Sequence, residues 1–327
     1  MRSLLTLSSV LMFGLASCGD SSLTRTLPNV TGSTGDVMVV TEKALWDGSV
    51  GKALREEVAP VLIGLPQPEP AFDLQPVNPA GFRDILVSHR NIIITAIDGN
   101  KPDPEVTYER NRWAETQLVI SITAPDTASM ALCISKNAEE IRRHINDAER
   151  ERLTAWISES AGRKRNIVRS GESAYEIIMP AGYRTDFTRE GLVIISAETQ
   201  ATTQSVIVSV GERPSSRIGC IELADLTEKI MSAEIKGPDG ASFMVIEKQT
   251  TVSCRSFRLN NTDYIEMRGL WTLEGGFMGG PFISCAFIDP QTSRAVIVTG
   301  FVYAPREEKR ELLRQVEALM YTVHRAN

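Results

Sequence analysis

The sequence predicts an α+β protein in two halves, each a mainly antiparallel or mixed sheet covered by helices. Three observations carry that expectation. β-Branched runs at residues 90–97 and 117–124 suit strands buried on both faces. The period then turns helical, with Met130, Ile134, Ile141, Ile145 and Ala148 on one stripe. Beyond Arg163-Lys164-Arg165 a new series of strands begins, and it closes on a second amphipathic helix. A chain of 327 residues with 42% hydrophobic and 6% aromatic residues is ordinary globular material, long enough for two domains.

Taken in order, residues 36–41 read as a short buried strand. A helix is expected from about Gly48, with Asp47 as N-cap and Val50, Leu54 and Val58 on one face, ending at Pro60. Gly64-Leu65-Pro66-Gln67-Pro68-Glu69-Pro70 reads as a stiff extended connector, because its prolines lack the N–H donors that a helix or central strand needs. The stripe from Met130 belongs to one long helix, or to two broken near Arg152, and Trp156 extends it. Glu139, Glu140, Arg142, Arg143, Glu149, Arg150, Glu151 and Arg152 occupy the intervening faces. Small and basic residues at 160–166 mark the boundary between the halves, giving segments 36–160 and 161–327.

In the second half strands are expected at 175–179, 192–197 and 205–210, then a helix at 223–235. Pro238-Asp239-Gly240 is a turn before a strand at 243–247. Residues 264–273 alternate, with Ile265, Met267, Trp271 and Leu273 sharing one face, and strands follow at 281–288 and 295–303. In the final helix Pro305 suits the first turn and Glu307 and Glu308 complement the dipole. Leu312, Leu313, Val316, Leu319, Met320 and Val323 form its apolar face, and His324 stands near its C-terminal end.

The first 17 residues carry one charge, Arg2, and a mostly apolar run over 4–15, the pattern of a secretory signal. Leu15-Ala16-Ser17-Cys18 resembles the bacterial lipobox, which implies a signal peptide at 1–17, acylation of Cys18 by diacylglyceryl and palmitate-class chains, and a flexible tether at 18–35. Each buried CH₂ contributes ~0.8 kcal/mol, so two or three chains hold a folded body at a bilayer. Gly19, in place of an aspartate, favours the outer membrane and leaves the leaflet open. With 35 basic and 41 acidic residues the net charge is −6, which argues against a nucleic-acid partner. Of the cysteines beyond Cys18, an even number, Cys133, Cys220, Cys254 and Cys285 permit three disulfide connectivities; buried unpaired thiols are the other reading.

No residues stand out as a metal site, a cofactor site or a complete catalytic set, and no HExxH, GxSxG or Walker pattern occurs. His144 and His324 read as surface residues. His89 at a strand start is the candidate base of a competing hydrolase reading, with Asp98 or Asp103 nearby. The most distinctive segment runs from Gly269 to Phe282, where Gly275, Gly276, Gly279 and Gly280 flank Phe277 and Met278. Glycines permit a tight or close-packed turn, and two large apolar residues at its tip need a cover, from the protein's own core or from a partner. The leading expectation is therefore a non-enzymatic binding or assembly module with an envelope partner, contacted by Phe277, Met278, Gly279 and Gly280, with Arg268 and His89 as further candidates.

Several segments together resemble a family of Bacteroidota envelope lipoproteins described only as a domain of unknown function. They are Leu27-Pro28-Asn29-Val30-Thr31-Gly32, the proline-rich connector, His89-Arg90-Asn91-Ile92-Ile93-Ile94, the Gly269 to Phe282 segment, Gly300-Phe301-Val302-Tyr303-Ala304-Pro305 and Lys309-Arg310-Glu311-Leu312-Leu313-Arg314-Gln315. The resemblance implies a lipoprotein and supplies no activity. In the second half, Met179-Pro180-Ala181-Gly182-Tyr183 after a strand, with further strands and a final helix, is similar to PsbP- and Mog1-like α/β sandwiches, which implies a binding or assembly module.

Overall fold

A computed structural model describes residues 26–212, 217–259 and 261–326. The first half is a five-stranded mixed sheet with helices on one face. Its strands are β1 (Asp36–Val40), β2 (Asp73–Val77), β3 (Asn91–Ile97), β4 (Glu105–Arg110) and β5 (Leu118–Ala124), in the order β2-β1-β3-β5-β4. Only β4 runs antiparallel to its neighbour. Val37, Val39, Ile93, Ile120 and Ile122 face Met130, Ile134, Ile141 and Ile145 of the long helix in one core. β2 and β4 were illegible as strands because they are the sheet's exposed edges, one of them carrying Pro76.

Two short helices, α1 (Lys43–Asp47) and α2 (Ser49–Ala53), and a wide turn at Leu54–Val58 replace the single helix expected from Gly48. The chain turns at Gly48, so Asp47 ends one helix instead of capping the next. The stripe from Met130 belongs to one continuous helix, α3 (Thr127–Ala161), with no break at Arg152. The Asp126 carboxylate caps it, accepting from the Ser129 amide at 2.8 Å. Glu149 and Arg152 are buried, and Trp156 is 55% exposed, so Leu153 and Ile157 carry the stripe onward instead. That shift moves the last turns of α3 from the first core into the second.

The second half opens with β6 (Arg165–Ser170) and β7 (Ser173–Ile178), a hairpin joined by β16 (His324–Arg325). An eight-stranded antiparallel sheet follows. β8 (Arg184–Arg189), β9 (Leu192–Glu198), β10 (Thr203–Val210), β15 (Ala295–Tyr303), β14 (Gly279–Ile288) and β13 (Thr262–Glu274) are adjacent in that order. β11 (Phe243–Ile246) and β12 (Ser253–Leu259) divide the outer edge of β13 between them. Helix α4 (Cys220–Glu234) covers one face over Met267, Trp271, Phe282 and Phe301. Helix α5 (Arg310–Met320), the hairpin and the end of α3 cover the other, over Ile283, Cys285, Val298 and Val302. With both faces covered, β14 and β15 read as continuous apolar runs.

Helix α5 begins at Arg310, five residues after Pro305, and ends before Val323 and His324. The reason is long-range. Glu69, delivered by the proline-rich connector and only 4% exposed, accepts from the Lys309 amide at 2.9 Å and the Arg310 amide at 2.8 Å. A carboxylate from the first half thus caps a helix of the second, where the positive end of the helix dipole favours it. Arg310 also bonds the Pro70 carbonyl (2.7 Å) and Asp73, and Arg314 the Ala71 carbonyl (3.0 Å), so the halves are docked along this line. Glu69→Ala is expected to destabilise the fold by about 1–3 kcal/mol, because it strands buried amides. Urea unfolding would measure the loss, and amide exchange should quicken first at Lys309 and Arg310.

The signal peptide expected at 1–17 and the expected lipidation site Cys18 lie outside the described residues. Of the span 18–35, expected to be a flexible tether, the described part from Pro28 onward is pinned to the body. The Thr31 amide donates to Ser88 (2.9 Å), the Arg90 amide to Thr31 (3.0 Å) and the Glu115 amide to Pro28 (2.8 Å). Cys220 and Cys254 form a disulfide that ties α4 to β12, with their Cα atoms 6.1 Å apart, while Cys133 and Cys285 are buried free thiols.

Candidate functional site

The glycine-framed hairpin between β13 and β14 separates its two apolar residues. Gly275, with φ +81°, turns the chain. The Leu273 amide donates to the Met278 carbonyl at 2.9 Å and the Gly276 amide to the Leu273 carbonyl at 3.1 Å, which closes the loop. Met278 packs against the core beneath α4, so it is not a free contact residue. Phe277 points outward and is 95% exposed. Gly279 and Gly280 are the first residues of β14, Gly279 exposed and Gly280 buried against β15. Trp271 lies in the core, its indole donating to the Val302 carbonyl at 3.2 Å.

Arg268 belongs to a different place. Met267 and Trp271 point to the α4 face of β13, while Arg268 and Glu266 point toward α5. There Glu266, 1% exposed, gathers a charged cluster. Arg255, opposite it on β12, grips it with Nε at 2.8 Å and Nη2 at 2.9 Å. Arg268 donates Nε to Glu266 at 2.7 Å and Nη2 to Glu317 of α5 at 2.5 Å. The Tyr321 hydroxyl donates to Glu266 at 2.7 Å. Burial would push the Glu266 carboxyl up, but Arg268 and Arg255 outweigh it and hold it well below the usual carboxylate range. Cys285, on β14 opposite Glu266, has its thiol pushed far up by burial and by that carboxylate, so it stays protonated and is no nucleophile.

Arg255 and Arg268 line a cleft of about 850 Å³ between the halves. Its walls are the α3 face with Lys136 and Arg142, the α5 face with Arg314 and Glu317, and the connector segment with Val61 and Ile63. Eight basic and six acidic side chains line it, and Glu266, Asp73 and Glu311 pair with Arg255, Arg268, Arg310 and Arg314 from behind the wall. The sequence pattern hid this site. An alternation of Glu266 and Arg268 with apolar residues reads as a solvated strand face, and nothing local says that a helix 50 residues later lies over it.

His89 and its expected partners do not converge. The residue is 5% exposed, its ring donates through Nδ1 to the Asn91 carbonyl at 3.2 Å, and Gly32 packs on the other side. Burial lowers its pKa, partly opposed by the Asn91 hydrogen bond, so the ring is neutral near pH 7. β3, about 20 Å long, lies between it and Asp98, and Asp98 serves a turn, accepting from the Asn100 amide at 3.0 Å. The carboxylates that act on His89 are Asp36, which accepts from the Ser33 amide at 2.8 Å, and Glu149, which is already bound to Arg90 (2.6 Å), Asn91 (2.6 Å) and Arg152 (3.0 Å). Of the other histidines, His144 stacks on Tyr108 and His324 pairs with Glu176 at 2.9 Å as part of β16, beyond the helix. Among the described residues no group of three or more acidic, cysteine or histidine side chains could hold a metal ion.

Set against known families, the chain divides at the end of α3. Residues 161–322 match the model of a domain of unknown function, DUF4837. Residues 30–158 match a second domain of unknown function, DUF8532. The cleft therefore lies between the DUF8532 and DUF4837 segments. No curated protein matches the sequence. Among solved structures, the Ran-binding protein Mog1p of Saccharomyces cerevisiae is similar at 14% identity and a TM-score of 0.31, over 49% of this chain and 95% of that one. LpqN of Mycobacterium tuberculosis, a protein involved in cell envelope biogenesis, is similar at 10% identity and a TM-score of 0.29, over 50% of this chain and 91% of that one. Among the described residues no helix is long and apolar enough to cross a membrane.

Proposed function

We propose that this chain is an exported, lipid-anchored envelope protein that works as a non-catalytic binding module and presents Phe277 to a protein partner. The exposed phenyl ring carries the reading. A side chain that is 95% exposed on a hairpin closed by two backbone hydrogen bonds loses little freedom on being covered, so burying it in a partner is favourable. Two further features support the compartment and the anchor. A structural disulfide such as Cys220–Cys254 is typical of oxidising surroundings outside the cytoplasm. Leu15-Ala16-Ser17-Cys18 would place an acylated cysteine ahead of a body pinned from residue 28 onward. The outer membrane is the proposed destination.

A photo-crosslinking residue at position 277 in living cells tests the reading. A discrete adduct is expected at 277 and not at an exposed control position such as Glu307. Phe277→Ser should weaken capture of that partner at least tenfold while stability stays within about 0.5 kcal/mol of the parent. A large fall in melting temperature, or no adduct, would remove the site. Mass spectrometry of the native amino end should find diacylglyceryl on Cys18, and its absence would remove the anchor.

A further inference from the structure

We propose that the cleft between the halves binds an anionic amphiphile, a molecule with a phosphate or carboxylate head on an apolar body, held by the guanidiniums of Arg255 and Arg268. The inference does not depend on the Phe277 surface. Glu266 and Glu317 occupy the Nε and Nη2 groups of Arg268, and Glu266 those of Arg255. Each guanidinium is thereby fixed in orientation, and each keeps an Nη1 group with no hydrogen-bond partner among the described residues. Two planar donors held side by side at the edge of a cleft suit the oxygens of a phosphate or carboxylate, because little side-chain freedom remains to be lost when the anion arrives.

The rest of the cleft adds charge on one side and grease on the other. On α3, Lys136 has no carboxylate partner among the described residues, and Arg142 bonds only the Glu57 carbonyl. Glu57 and Glu139 of the same lining have no cation partner among the described residues either, so the attraction for an anion comes from the oriented guanidinium donors and not from net charge. On the connector side Val61 and Ile63 are 59% and 71% exposed, and they line the same cleft. Apolar side chains left in water beside a set of oriented cations match a ligand with both characters. The volume of about 850 Å³ lies within the range of small-molecule sites.

Calorimetric titration of the purified full chain with three probes tests this. Dihexanoyl phosphatidic acid carries both features, glycerol phosphate only the head, and dihexanoylglycerol only the apolar part. Saturable binding of one phosphatidic acid per chain is expected, with the head alone at least tenfold weaker and the uncharged lipid not saturating. Arg142→Glu with Lys136→Glu, and separately Ile63→Asp, leave the buried Glu266 cluster intact. Each should weaken binding at least tenfold at an unchanged melting temperature. Arg255→Lys keeps the charge and loses the fork, and it should also weaken binding. The proposal is overturned if no probe saturates, if glycerol phosphate binds as tightly as the lipid, or if these variants bind like the parent.

Discussion

Replacing Glu266 with glutamine is expected to cost about 3–5 kcal/mol of stability, the scale for removing one partner of a buried ion cluster. The side chain is 1% exposed and lies under Arg268, Arg255 and the Tyr321 hydroxyl at 2.7–2.9 Å. Arg255 is 54% exposed and resolvates more readily than Arg268, which is 28% exposed, so the larger share of the penalty comes from Arg268 left with Glu317 alone. The pH dependence has a definite sign. The folded carboxyl sits below its unfolded value of about 4.3. Its contribution is therefore complete at neutral pH, declines once the pH falls below that unfolded value, and is gone below the folded one. Urea unfolding should show the gap between parent and Glu266→Gln narrowing from pH 7 to pH 3. A gap that stays constant would mean that the charge is not what stabilises. Replacing Glu266, Arg255, Arg268 and Glu317 together by Leu, Met, Met and Gln should cost less than Glu266→Gln alone, because no charge of the cluster is then stranded.

Glu149→Gln is the second large effect, again about 3–5 kcal/mol. Glu149 is fully buried and holds Arg90, Arg152 and the Asn91 amide, with the Gly35 amide at 3.3 Å. Burial raises its carboxyl, and Arg152 and Arg90 more than reverse this, so it is ionised in the folded protein. Burial pushes Arg152 down despite the carboxylate, which shows how far that cation depends on its partner. Arg90 also holds the Gly32 carbonyl at 3.2 Å, so the variant should loosen residues 28–36 along with β3. Hydrogen exchange would show this as faster exchange at Thr31 and Asp36, whose amides bond Ser88 and Ser33. Exchange unchanged there, with global stability intact, would contradict the account.

These two carboxylates also show what was legible in the chain and what was not. Strands with two buried faces, such as β14 and β15, were readable because burial on both sides demands an unbroken apolar run. The edge strands β2, β4, β8 and β12 were missed, since solvent on one or both faces removes the pattern. Glu149 and Arg152 read only as charges between turns of the apolar stripe, and the fold alone brings them against Arg90 and Asn91. Arg268 was named as a candidate together with the hairpin residues, yet strand alternation turns it to the opposite face of the sheet from the core that holds Met278.

Local periodicity and turn chemistry, which depend on neighbours a few residues apart, were enough to establish an α+β chain in two halves with a glycine-turned apolar tip. They could not say that Glu69 would cap a helix 240 residues away, that Cys220 would meet Cys254, or that Arg255 and Arg268 would share one carboxylate beside a cleft. Those pairings exist because packing two sheets and their helices brings distant side chains into a dry space. There an unpaired charge is too costly to keep, and each must find its partner wherever the fold has carried it.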